Sequence, residues 1–308
     1  MLFAMHLPDH ALSGEVAWGT AALALVAAVA AWRASQASRS SDSRPGVPAM
    51  YVGLVAAMIF AGQMLNFAVP GLGISGHFLG AATAALLLGP WLGSLVMATV
   101  LAVQCLVFGD GGLSALGANV LNMSLVGCWS AWGVQRLAAP KNASTLLGIA
   151  TAGLAGFASV LCAALVCGGE LALSGQSSLF DTLMTNHLAI VVTEGCLTAA
   201  LVATLQRRDQ MTPVPAHVVR LAWTLTAVAI LLTPLASALP DGLDAALPPE
   251  SAAAVSSWTA PLADYSTPAW FSLDGAAATI FVAVIGTLLT LTAARVMGAA
   301  ANRSAAVN

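Results

Sequence analysis

Nine apolar runs follow one another along this chain, at about 14–32, 50–68, 75–89, 91–108, 114–137, 144–169, 181–206, 218–238 and 277–299. A bilayer demands about 20 apolar residues of each helix that crosses it. Within the hydrocarbon, only helices and closed barrels satisfy their own backbone groups. Charged residues make up 7% of the chain, against roughly 25% in a soluble domain, and the mean hydropathy is +0.88. An ordinary soluble enzyme is excluded. The expected fold is an all-α integral membrane protein with about nine transmembrane helices.

The cations orient those helices. Arg33, Arg39 and Arg44 follow the first run, Arg136 and Lys141 the fifth. Arg207, Arg208 and Arg220 flank the loop after the seventh, and Arg295 and Arg303 close the chain. All ten Lys and Arg therefore fall on one side of a nine-span topology. The positive-inside rule makes that side cytoplasmic, so the N-terminus is expected outside and the C-terminus inside. A cleaved signal peptide would carry a positive n-region, but residues 1–13 hold no Lys or Arg and include Asp9. The first run is expected to stay, as a helix with its N-terminus out.

A polar break at Gln206-Arg207-Arg208-Asp209-Gln210, followed by Pro213 and Pro215, divides the chain. Residues 1–210 hold seven spans. Residues 211–308 form a hairpin whose external loop, about 239–275, carries Asp241, Asp244, Glu250, Asp264 and Asp274 and no Lys or Arg. Five outward acids could concentrate cations, although external loops lack positive charge under the same rule. Cys105, Cys128, Cys162, Cys167 and Cys196 form no C-x-x-C pair, so zinc or redox chemistry is not indicated and they read as packing residues.

Polar side chains inside a bilayer are costly and usually face protein or a water-filled cavity. Gln63, Asn66, His77, Gln104, Asn119, Asn122 and His187 all gather towards the outer half of the expected bundle. His187, for example, lies about 9 Å into the seventh span at 1.5 Å per residue. This pattern predicts a pocket open outward and closed inward. Each amide on its own reads equally well as interhelical glue. His187 and Glu194 are expected to be a buried pair that fixes helix packing, and Gly109-Asp110-Gly111-Gly112 is a turn first.

Before the first span stands Met5-His6-Leu7-Pro8-Asp9-His10. A histidine second from a free amino terminus can chelate a metal through the amine, its own amide and its ring. One further imidazole, for which His77 in Ser75-Gly76-His77 is the candidate, would close a square of four nitrogens. Such sites suit Ni(II) or Cu(II) and release protons on binding. Met5, His6 and His77 are therefore the expected metal ligands. Asp9 is expected to orient the His6 ring, Asn119, Asn122 and His187 to stand behind it, and His10 to face solvent. The chelate needs an unblocked amine at Met5, which Met1-Leu2-Phe3-Ala4 would remove, so initiation at Met5 or trimming to it is expected.

The same residues carry a resemblance. Met5-His6-Leu7-Pro8-Asp9, Val69-Pro70-Gly71 with Ser75-Gly76-His77, Leu88-Gly89-Pro90-Trp91, Phe108-Gly109-Asp110-Gly111-Gly112-Leu113, Gly117-Ala118-Asn119, Asn122-Met123 and His187 to Glu194-Gly195 resemble the substrate-binding membrane subunits of cobalt and nickel energy-coupling-factor transporters, the CbiM/NikM type. Pro240-Asp241-Gly242-Leu243-Asp244 resembles the PDGLE motif of the accessory N subunit, with Asp for the final Glu, and Asp264-Tyr265 resembles its loop signature. The resemblance implies a fused N-type segment and a metal held by Met5, His6 and His77. It also implies partners: a coupling membrane subunit (Q-type) and ATPase subunits (O-type), in the cell (inner) membrane.

The leading expectation is the capture component of ATP-driven cobalt or nickel uptake. The metal is the transported substrate; there is no catalytic cofactor, enzymatic activity or nucleic-acid partner. The lone lysine, Lys141, follows Pro140, so no Walker-A G-K-[ST] exists and ATP hydrolysis must come from partners. The alternative is a secondary carrier working without ATPase partners, for which Glu194 is the evident intramembrane acid. An intramembrane metalloenzyme ranks third, since H-E-x-x-H is absent.

Overall fold

The computed structural model describes residues 6–40, 47–138, 145–205, 214–248, 258–268, 271 and 273–304. Among these, six helices are long and apolar enough to cross a membrane: Gly14–Ala37, Pro90–Phe108, Leu146–Leu173, Ser177–Leu205, Ala216–Leu235 and Gly275–Asn302. A shorter apolar helix, α2 (Ala49–Gln63), runs through the middle and is buried along nearly its whole length. It packs against α10 (Gly275–Ser304), α9 (Ala216–Leu232) and α4 (Pro90–Val103); the other long helices are α1 (Gly14–Ser40), α7 (Thr145–Leu173) and α8 (Phe180–Leu205). A helix buried on all sides needs no amphipathic pattern, which is why α2 is apolar all round.

The third expected span, 75–89, is not one helix. It divides into strand β2 (Ile74–Gly76), an extended stretch containing His77, and an eight-residue helix, α3 (Ala81–Leu88). At 1.5 Å per residue α3 is only about 12 Å long. Strand β2 pairs antiparallel with β1 (Phe67–Val69), Phe67 opposite Gly76. Gly89-Pro90 makes the expected tight turn into α4, with Pro90 in the first turn, where its missing N–H costs nothing.

Irregular backbone in an apolar bundle must be satisfied by protein, and Glu194 of α8 does this for the 77–80 stretch. Its Oε2 accepts the Leu79 N–H at 2.7 Å and its Oε1 the Gly80 N–H at 3.1 Å. From the other side Gln63 Nε2 donates to the Leu79 carbonyl at 2.8 Å, and Gln104 Nε2 donates to Gln63 Oε1 at 2.9 Å. The expected His187–Glu194 pair does not form. His187 turns its Nδ1 back to the Leu183 carbonyl one turn earlier, at 2.7 Å.

Two helices carry π-turns: α4 continues through Gln104–Phe108, and the fifth expected span runs as α5 (Leu116–Asn119), a π-segment Val120–Val126, and α6 (Gly127–Ala138). Such bulges often sit at functional sites, and these two flank the Gly109–Gly112 loop. Helix α10 lies along α2 in close contact. At Gly286 a side chain would run into the buried Phe60 ring, so the glycine lets the two helices approach closely there.

Replacing Glu194 with Ala would orphan two buried N–H donors at a cost of about 2–4 kcal/mol. Thermal unfolding in detergent should show a large drop for Glu194→Ala and a smaller one for Glu194→Gln, which keeps one acceptor. Equal melting of wild type and Glu194→Ala would contradict this role.

Candidate functional site

The N-terminal strip enters the bundle as irregular chain and is anchored residue by residue. Asn119 Oδ1 accepts the Leu7 N–H at 2.8 Å, and Asn119 Nδ2 donates to the Leu7 carbonyl at 3.1 Å. Gly112 N–H donates to the same carbonyl at 2.9 Å. A Cβ at Gly112 would lie 2.1 Å from Asp9 N, so this glycine is required for the strip to lie against the loop. The loop read first as a turn is thus a cradle for residues 6–9. Leu7, Ala11 and Leu12 pack with Leu171, Leu183, Leu243 and Leu247 in an apolar cluster of their own.

This anchoring sets His6 beside His77, their near-parallel rings (19°) 6.4 Å apart between centroids. Both residues are buried, at 3% and 1% exposure. His6 Nδ1 lies 2.8 Å from Asp110 Oδ1, and His77 Nδ1 lies 3.0 Å from the Phe78 carbonyl. In each ring Nε2 is buried and has no hydrogen-bond partner. Each acceptor fixes the ring proton on Nδ1 and leaves an Nε2 lone pair, the arrangement of a metal-ligating histidine with its supporting acceptor. A ring that closes a chelate with its own amide must use Nδ1. For His6 this requires a half-turn about Cβ–Cγ, which carries Nε2–H onto the Asp110 side.

Burial pushes the Asp110 carboxyl up, but the adjacent His6, with hydrogen bonds from His6 and Tyr265, outweighs burial and holds it below its usual range.

The other expected site residues fall in different places. Met5 lies outside the described residues. Asp9 does not orient the His6 ring: its Oδ1 accepts from the backbone N–H and Oγ of Ser114 at 2.7 and 2.6 Å, which ties the strip to the far end of the cradle. Asp110 orients the ring instead. Asn119 holds the backbone of the strip. Asn122 donates to Glu170 Oε2 at 2.6 Å, and Glu170 is a second acid within a spanning helix besides Glu194. His187 lines a cavity of about 20 Å³ with Asn119, Asn122, Cys167, Leu183 and Leu243, beside the two-histidine site. His10 is exposed, as expected, with a positive φ of 65°.

Nor is the site an outward-open pocket. The 237–247 stretch and the Trp258–Ser266 stretch lie across it. The Ser75 N–H donates to the Pro240 carbonyl and Ser75 Oγ to the Leu239 carbonyl, both at 2.8 Å, extending the small sheet next to His77. Asp241 is not a free external acid. It is buried, its Oδ1 accepts the Leu243 and Asp244 N–H groups at 2.6 and 2.8 Å, and burial and Asp244 push its carboxyl well up. Tyr265 Oη donates to Asp110 Oδ2 at 2.5 Å. Asp110 and Tyr265 were missed from sequence. The available signal for Asp110 was an acid inside a glycine-rich turn with no cation beside it.

A helical membrane protein with a buried pair of half-satisfied imidazoles under a covering loop is the class this architecture defines. Within it, the chain belongs to the family described as the cobalt uptake substrate-specific transmembrane region, CbiM, whose sequence model matches residues 6–212. It is 37% identical to the putative fused nickel transport protein NikMN of Archaeoglobus fulgidus, over 78% of this chain and 82% of that one. It is 32% identical to the cobalt transport protein CbiM of Sorangium cellulosum, over 71% of this chain and 98% of that one. A crystal structure described as a transition metal transporter superposes with a TM-score of 0.56 at 26% identity, covering 68% of this chain and 95% of that one. The protein is membrane-embedded and of the ion-transport class.

Proposed function

We propose that this chain is the substrate-capture component of an ATP-driven cobalt or nickel uptake transporter in the cell (inner) membrane. It would cross the membrane nine times, with its N-terminus outside and C-terminus inside, and work with a coupling membrane subunit and separate ATPase subunits. The metal ion is the transported substrate, and the chain itself carries no enzymatic activity.

The observation that carries this reading is the pair of buried Nε2 atoms of His6 and His77, each without a partner while its Nδ1 is held. Buried polar atoms are nearly always satisfied, and these two belong to near-parallel rings 6.4 Å apart between centroids, which supports a place that a ligand completes; His77 would meet the ion through Nε2, and His6 through Nδ1 after its half-turn. In the proposed loaded state the Met5 amine, the His6 amide, the His6 ring and the His77 ring surround the ion. Four nitrogens favour Ni(II) over Co(II) by the Irving–Williams order and Cu(II) more strongly still, so supply would also select the cargo. Asn119, Asn122 and His187 stand behind the ligands. Residues 1–210 form the metal-binding unit, and 211–308 the fused N-type segment that covers it. Both oxygens of Glu194 are committed to backbone N–H groups, which favours a fixed structural acid over the proton path that a self-sufficient carrier needs.

Calorimetric titration of purified protein with Ni(II) and Co(II) tests the site. Chain beginning at Met5 should bind one ion tightly, and chain retaining residues 1–4 should bind more weakly because its amine is displaced. His77→Ala should lose affinity about 100-fold or more, since one of four ligands is gone, yet still insert into the membrane. Unchanged affinity in His77→Ala would refute the proposed ligand set.

A further inference from the structure

We propose that Tyr265 is a positioning residue for the metal site: it fixes Asp110, Asp110 fixes the His6 ring, and docking of the C-terminal segment is thereby felt at a ligand. This rests on the His6–His77 reading of the site and adds a means of control to it.

The Asp110 carboxylate is divided between the two partners. Oδ1 accepts from His6 Nδ1 at 2.8 Å and Oδ2 from Tyr265 Oη at 2.5 Å. A carboxylate held at both oxygens cannot swing, so it keeps a fixed acceptor on one side of the His6 ring. The acceptor also stays on the same side of the ring when His6 makes the half-turn that frees Nδ1 for chelation.

The C-terminal segment is built to deliver this hydroxyl. The Tyr265 ring stacks on Phe108, with centroids 4.7 Å apart and planes 12° from parallel. Leu262 N–H donates to the Val107 carbonyl and Trp258 Nε1 to the Leu106 carbonyl, both at 2.9 Å. The segment is therefore hooked onto the π-turn that leads into Gly109-Asp110. Asp264 and Tyr265 both hold φ of 54°, a left-handed setting that non-glycine residues adopt at a cost and that persists only where its surroundings enforce it. Two such residues in succession, ending on the phenol that meets Asp110, place the strain where the contact is made. Burial and the facing carboxylate push the phenol well above its usual range, so it remains a donor. Among the described residues Tyr265 has no hydrogen bond to His6 or His77; its effect passes through Asp110.

Tyr265→Phe keeps the stacked ring and removes only the hydroxyl. In full-length protein titrated with Ni(II), Tyr265→Phe should weaken binding by about tenfold and shift the visible absorption of the bound ion, a change in the ligand field that a loss of stability alone would not produce. Asp110→Asn should weaken binding by about 10- to 100-fold, and the double variant should be no weaker than Asp110→Asn alone, because both act along one line. Wild-type affinity and spectrum in Tyr265→Phe, tighter binding, or losses that add in the double variant would each overturn the inference. His77→Ala in the same titration separates the two proposals. If it still binds Ni(II) as wild type does, the ligand set fails; if it loses Ni(II) while Tyr265→Phe does not, only the positioning role fails.

Discussion

Eight residues of irregular chain lie against the mouth of an apolar helical bundle, and backbone there has little water to bond with. Asn119 meets this demand for Leu7 with one side-chain amide that accepts its N–H and donates to its carbonyl. Gly112, lacking a side chain, lets the strip lie flat on the cradle and adds a third bond. Without that anchoring His6 would be a solvated residue on a loose terminus. With it, the ring is buried opposite His77, which is fixed in turn by the Glu194-capped stretch ahead of α3.

The two halves of the site are therefore held by the same device, a buried polar side chain that reads backbone. Glu194 takes the N–H groups of Leu79 and Gly80, Asn119 takes both backbone groups of Leu7, and Asp241 takes the N–H groups of Leu243 and Asp244. Each costs desolvation, offset by the bonds it makes to backbone, although Asp241 Oδ2 keeps no partner of its own. The Nε2 atoms of His6 and His77 are two of several buried side-chain atoms without a partner among the described residues; what sets them apart is that their rings lie side by side. The C-terminal segment completes the enclosure by extending the small sheet beside His77 and setting Tyr265 against Asp110.

Hydropathy made most of the helices legible, because a bilayer requires apolar length and little else. It failed at 75–89, where apolar composition continues through a strand, a turn and a helix too short to be recognised separately; burial inside protein looks the same as burial in lipid. The histidines were legible through the chemistry of an amino-terminal chelate. Their supports were not. Asp9 is near His6 in sequence but turns to Ser114, whereas Asp110, 104 residues away, takes the ring. Likewise His187 and Glu194 share a helix face yet bond to different partners, because each finds nearer backbone to satisfy.

Composition and local spacing alone were enough to read a membrane-embedded chain, the order of most of its helices, and His6 and His77 as the candidate metal ligands. Neither needs knowledge of the rest of the chain. Only the tertiary structure decided that the site is closed, that Asp110 and Tyr265 attend His6, and that a loop expected to offer outward acids buries Asp241 instead. Those outcomes depend on which distant groups meet in a dry interior, where each buried donor or acceptor bonds to whatever lies within 3 Å or so, however far off along the chain.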